Sequence, residues 1–123
     1  MQVFEEVSDC LTDILDLDPR DVTPETYVVR DLDAESIDLL ELSVALNSRF
    51  KMEIDDDEIF LKSLRYYIDE AEKDNRDVAD YISKKFPSLP EDRITEILLD
   101  IHGGPVLKVR DLVSYVERNL NGK

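Results

Sequence analysis

The sequence predicts an all-α bundle, and three observations carry that prediction. Apolar residues recur at three- and four-residue spacing in successive stretches of the chain. Proline and glycine fall between those stretches and punctuate them. No pair of alternating apolar runs flanks a hairpin turn. The count is about five or six helices, with ends uncertain by roughly 2–4 residues.

Each element can be justified in order. Val3, Val7, Leu11, Ile14 and Leu15 share one helical face, so residues 2–16 form an amphipathic helix. A long polar connection follows, broken by Pro19 and Pro24, with a short turn at 21–25. Val22, Tyr27, Val28 and Leu32 are its candidates for pinning to the core. A connection of this length in a small domain is either functional or firmly packed. From Ser36 to Phe50 helical spacing returns: Ile37, Leu40, Val44 and Leu46 or Asn47 mark successive turns, and Phe50 closes the stripe. A third apolar-periodic stretch runs from Ile59 to Ala71 through Phe60, Leu64, Tyr67 and Ile68. Residues 76–86 form a short helix ended by Pro87. The next helix has the clearest boundaries, with Ser88 or Pro90-Glu91-Asp92 at its start and Gly103-Gly104 at its end. Ile94, Ile97, Leu98 and Ile101 are its apolar face. Val109, Leu112, Val113 and Val116 define a last helix near 108–120.

Composition narrows the function. The chain has 123 residues, 42% hydrophobic and 37% charged, which suits one small globular domain spanning 1–123. No apolar run approaches a membrane span, and the N-terminus shows neither the basic nor the apolar region of a secretory signal. The single cysteine, Cys10, excludes an internal disulfide and a CxxC metal site, and its apolar neighbours predict a buried, inert thiol. A cytoplasmic, monomeric protein without membrane insertion is the expectation.

Charge is the more telling feature. The net charge of -15 argues against nucleic-acid binding. It is concentrated: residues 1–60 hold 18 acidic and 4 basic side chains, residues 61–123 hold 12 and 11. An acidic first half of this kind suits basic protein partners, whose encounter long-range fields accelerate.

The stretch that joins these features is RDLDAESIDLLELSVALNSRFKMEID, around Ser36. It resembles the acyl carrier protein family, whose pattern places Asp-Ser-Leu at the start of the second helix. Glu35, Ser36 and Ile37 stand at those positions, after Asp31-Leu32 and before Asp38, Glu41-Leu42 and Ala45-Leu46. Phe50, Glu53-Ile54 and the acidic run at 55–58 extend the match, as do the first helix, the loop DVTPETYVVRDL and the last helix VRDLVSYVERNL. The resemblance covers roughly two thirds of the chain, residues 1–60 and 106–120. About 61–105 has no counterpart in a standard member. The expected fold is therefore an acyl-carrier-like bundle enlarged by about two helices.

The resemblance implies a carrier, not an enzyme. It assigns Ser36 a covalent 4'-phosphopantetheine, whose terminal thiol holds acyl chains as thioesters. It implies as partners a phosphopantetheinyl transferase and acyl-loading, condensing and acyltransfer enzymes with basic docking patches. Glu35, Ile37, Asp38 and Glu41 become docking candidates, with Asp38 and Glu41 on one helix face. Fatty acid, polyketide and lipid A synthesis all use such carriers. Physical chemistry supports the same serine, because a phosphate ester at a loop-to-helix junction sits beside unpaired N–H groups and the positive end of the helix dipole. On position alone, however, an ordinary N-cap is the better reading of Ser36, and its flanks overturn it.

Departures from the family pattern suggest specialisation. Asp33 stands where glycine is usual, Glu35 replaces aspartate, and Asn47, Ser48 and Arg49 make the end of the second helix less acidic. The inserted segment either shelters a longer acyl chain, packs on itself or offers a new partner surface. Other readings fare worse. An EF-hand loop starting at Asp31 needs glycine at its sixth position and glutamate at its twelfth, where this chain has Ser36 and Leu42. A serine hydrolase needs a base, and the only histidine, His102, lies at a helix end beside two glycines. A carrier-like interaction module that never receives an arm is the remaining alternative.

Overall fold

The computed structural model describes residues 2–121, and among them the all-α expectation holds. Seven helices follow one another: α1 Val3–Leu15, α2 Ser36–Phe50, α3 Asp56–Ile59, α4 Leu64–Lys73, α5 Val78–Lys85, α6 Glu91–Asp100 and α7 Val109–Asn121. Single turns of 3-10 helix lie at Pro19–Asp21 and Ile101–Gly103. α1 packs against α2 and α7, and α3 closes on α7. Their shared core contains Val7, Leu11, Val28, Leu42, Leu46, Ile59, Leu112 and Val116. Cys10 is buried beside them, and burial raises its thiol pKa, as the inert reading requires.

The long connection between α1 and α2 is firmly packed. Val22 and Val28 are buried, while Tyr27 and Leu32 are partly so. The backbone N–H of Val28 donates to the Leu107 carbonyl at 3.0 Å. Val109 and Arg110 donate to the carbonyls of Thr26 and Pro24, each at 2.9 Å. The loop thus takes its backbone partners from the chain entering α7.

One sequence expectation needs correction. The stretch Ile59 to Ala71 is not one helix but two, α3 and α4, broken at Leu61. Leu61 has φ 55, its N–H donates to the Glu58 carbonyl, and the Lys62 N–H donates to that of Asp57. This is a Schellman stop, normally formed by glycine. A buried leucine holds the left-handed position instead, so the periodic pattern runs straight through a helix end.

Helices α4 to α6 pack in sequence, α5 on α4 and α6 on α5. Tyr67 makes edge contacts with Tyr66, Tyr81 and Phe86, and the Tyr81 hydroxyl donates to the Glu70 carboxylate. A buried ion pair fastens α6 to the bundle. Arg93 of α6 donates from Nε to Asp111 Oδ1 at 2.7 Å and from Nη2 to Oδ2 at 2.8 Å. Its Nη2 also reaches the Val106 carbonyl at 2.7 Å, and Asp111 Oδ2 accepts the Lys108 N–H at 2.9 Å. Both side chains are 1% exposed.

Candidate functional site

Ser36 is the first residue of α2, exposed to solvent, and it does not cap the helix. Glu35 is the N-cap, with extended backbone. Asp38 Oδ2 accepts the Glu35 N–H at 2.8 Å, and the Glu35 carbonyl accepts the Leu39 N–H at 3.1 Å. The capping task that a serine so often performs is already filled. The Ser36 hydroxyl is left to point into water, and the N–H groups of Ser36 and Ile37 lack acceptors within the helix. A phosphate ester at Oγ fits this place: it gains those donors and the helix dipole. The Glu35 and Asp38 carboxylates oppose it, Glu35 from an exposed position where charges are strongly screened and Asp38 from a half-buried one.

The turn leading to Ser36 is closely bonded. Asp31 and Leu32 donate to the Tyr27 carbonyl, Asp33 to that of Val29 and Ala34 to that of Val28. Asp33 has φ 57, the left-handed conformation expected where glycine is usual. Its side chain is exposed, so nothing offsets the backbone cost by packing. Asp33→Gly is therefore expected to raise stability by roughly 0.5–1 kcal/mol, measured by urea unfolding. Unchanged or lower stability contradicts this.

The same turn is tied to the end of α6 and the turn that follows it. Arg30 Nη1 donates to Asp100 Oδ1 at 3.0 Å, and its Nη2 reaches the carbonyls of Asp100 at 3.2 Å and Gly104 at 3.1 Å. The Tyr27 hydroxyl donates to Asp100 Oδ2 at 2.7 Å, with the Arg30 guanidinium 4.3 Å above its ring. The Tyr27 hydroxyl and Arg30 together hold the Asp100 carboxyl below its ordinary range. Gly103 makes room for this: a Cβ there would lie 3.0 Å from Asp100 Oδ1 and 3.1 Å from Arg30 Nη2. None of these contacts was legible in the sequence, because 70 residues separate Arg30 from Asp100.

α2 carries two opposed apolar stripes. Leu42, Leu46 and Phe50 face the core. Ile37, Leu40 and Val44 face solvent, at 59%, 53% and 71% exposure. The sequence reading joined members of both into one stripe. The structure separates them and adds Leu40 and Val44 to the candidate surface. The signal was present: residues at i, i+3 and i+7 opposite a second apolar series leave one face without a core. Glu35, Ile37 and Glu41 are exposed and Asp38 half-buried, so the four docking candidates gather around Ser36 with those two apolar residues. At the far end of α2, Arg49 pairs with Glu6 of α1 at 2.8 Å, and Asn47 donates to the Met52 carbonyl at 2.7 Å. Those departures from the family pattern have structural tasks. His102 is exposed on the 3-10 turn after α6.

A model described as a phosphopantetheine attachment site matches residues 5–65, a span that brackets Ser36. The chain is 43% identical over 58 residues to an acyl carrier protein of Campylobacter concisus, covering 47% of this chain and 75% of the relative. It is 38% identical over 77 residues to the acyl carrier protein of Campylobacter fetus, covering 59% of this chain and 100% of the relative. A Helicobacter pylori acyl carrier protein is 40% identical over 58 residues, covering 47% of this chain and 74% of the relative. No solved structure matches. Among the described residues no helix is long and apolar enough to cross a membrane.

Proposed function

The chain belongs to the phosphopantetheine-binding acyl carrier protein family, and from that premise we propose that Ser36 is the residue bearing the 4'-phosphopantetheine arm. The arm supplies a thiol on which acyl chains ride as thioesters. The chain is accordingly a carrier and not an enzyme. The observation supporting Ser36 is its release from capping duty at an exposed helix start, inside the matched span. Attachment forms an Oγ–P ester as the pyrophosphate P–O bond of coenzyme A breaks, releasing adenosine 3',5'-bisphosphate, and takes one proton from the hydroxyl. Among the described residues no side chain accepts a hydrogen bond from that hydroxyl, so the transferase brings the base. Incubation with a phosphopantetheinyl transferase and coenzyme A tests this. A mass increase of one phosphopantetheine is expected; an unmodified chain favours the armless interaction module instead.

The docking surface is the exposed face of α2. Ile37, Leu40 and Val44 supply apolar contact, while Glu35, Asp38 and Glu41 supply the charge that basic enzyme patches seek. Val44→Asp places a charge at the C-terminal end of that apolar stripe without touching the core. It is expected to leave stability within about 0.5 kcal/mol and to raise the KM of the transferase reaction roughly tenfold, about 1.4 kcal/mol. An unchanged KM removes this face from the docking surface. We read residues 1–123 as one domain, cytoplasmic and monomeric, serving a dedicated set of lipid- or polyketide-biosynthetic enzymes. The departures at Asp33, Glu35 and Asn47–Arg49 and the insertion at about 61–105 support that specialisation.

A further inference from the structure

The first turn of α2 has little core beneath it. No residue from Ser36 to Glu41 is buried, and Leu42 is the first that is. Helix ends fray where packing does not hold them, so the placement of Ser36 falls to the chain entering the helix. That chain is a turn whose last bond runs from the Ala34 N–H to the Val28 carbonyl at 3.3 Å, with Glu35 alone between it and Ser36. Tyr27 and Arg30 belong to this turn, and the Asp100 carboxylate takes both. Its Oδ2 accepts the Tyr27 hydroxyl at 2.7 Å, and its Oδ1 accepts Arg30 Nη1 at 3.0 Å.

Arg30 is turned toward its own chain. Its Nη2 donates to the carbonyls of Asp100 and Gly104, and its guanidinium lies over the Tyr27 ring. Its Nε is buried with no acceptor among the described residues. A stranded buried donor costs free energy, and the molecule bears that cost to keep the guanidinium in this place. With only 20% of its side chain exposed, Arg30 serves the turn and not a partner's surface. The other half of the clamp, Asp100 and Gly104, lies outside the span 5–65 that matches a phosphopantetheine attachment site.

Resting on the carrier reading above, we propose that Asp100 is a positioning residue for attachment of the arm: through Tyr27 and Arg30 it fixes the turn that delivers Ser36 to the transferase. Its side chain bonds to the turn and makes no hydrogen bond to the Ser36 hydroxyl, so its effect runs through geometry. Misplacing a reacting group by about 1 Å costs as much as about a hundredfold in rate. Loss of one anchor from a turn that keeps its backbone bonds takes part of that.

Steady-state kinetics of the full chain with a phosphopantetheinyl transferase and coenzyme A test this, with urea unfolding of the same samples. Asp100→Ala is expected to lower kcat about tenfold and to leave the KM for the carrier within about twofold, the opposite split from Val44→Asp. Asp100→Asn keeps an oxygen for one of the two donors and is expected to recover part of the kcat. Tyr27→Phe removes one hydroxyl from the clamp and is expected to fall between the wild type and Asp100→Ala, which keeps the test open if Asp100→Ala does not fold. Arg49→Ala breaks another part-exposed ion pair, at the far end of α2, and is expected to leave kcat unchanged. An equal fall in Arg49→Ala assigns the effect to lost stability and overturns the proposal. So does a wild-type kcat in both clamp variants, or a loss confined to KM. Those results leave the carrier reading intact, whereas a wild-type chain that takes no arm removes both.

Discussion

Ser36→Ala is expected to abolish attachment of the arm while leaving the fold and its stability essentially unchanged. The size of the first effect follows from chemistry: alanine has no nucleophilic oxygen, so loss is complete and not graded. The second part is the sharper expectation. Were Ser36 a capping residue, its removal would cost about 0.5–2 kcal/mol. The structure gives the cap to Glu35 and its reciprocal bond to Asp38, so Ser36→Ala at the first helical position is expected to change stability by less than about 0.5 kcal/mol. Urea unfolding and intact mass on the same sample read both effects. A destabilised variant would restore the capping role, and retained modification would move the arm elsewhere.

Asp111→Ala is expected to be the most destabilising single change in the molecule. It strands the Arg93 guanidinium, 1% exposed, with one carbonyl and a half-exposed Glu96 as its remaining polar partners. Breaking a buried pair in this way costs about 3–5 kcal/mol, against a total of about 5–15 kcal/mol for a typical domain. The loss extends past the pair, because Asp111 also accepts the Lys108 N–H at the start of α7. Replacing both partners, Arg93→Met with Asp111→Leu, is expected to be much milder, since no charge is left buried. Urea midpoints of the single and double variants decide it. A cost below about 1 kcal/mol for Asp111→Ala contradicts the buried-pair reading.

The pattern of what the sequence revealed has physical causes. α1, α6 and α7 each carry one apolar stripe bounded by polar or breaking residues, and they lie near where the spacing puts them. α2 was legible as a helix but not as to its faces, because its two stripes oppose each other and only tertiary packing chooses the inner one. The α3–α4 break was hidden by Leu61, an apolar residue in a glycine position. Asp33 was legible because a missing glycine announces a left-handed site. The fastenings of α6, Arg93–Asp111 and Tyr27–Arg30–Asp100, were not, since charged residues in a sequence read as solvent-facing until a partner brings them inside. Ser36 stood out as the candidate site from its flanks. That Glu35 and Asp38 relieve it of the cap is the structural finding.

Fragmentation of the transferase-treated intact protein locates the added group directly. A single phosphopantetheine on Ser36 is the expected result. The group on another hydroxyl, such as Ser43 or Ser48 of the same helix, or a chain left unmodified by a transferase that modifies another carrier in the same tube, would contradict Ser36 as the bearing residue.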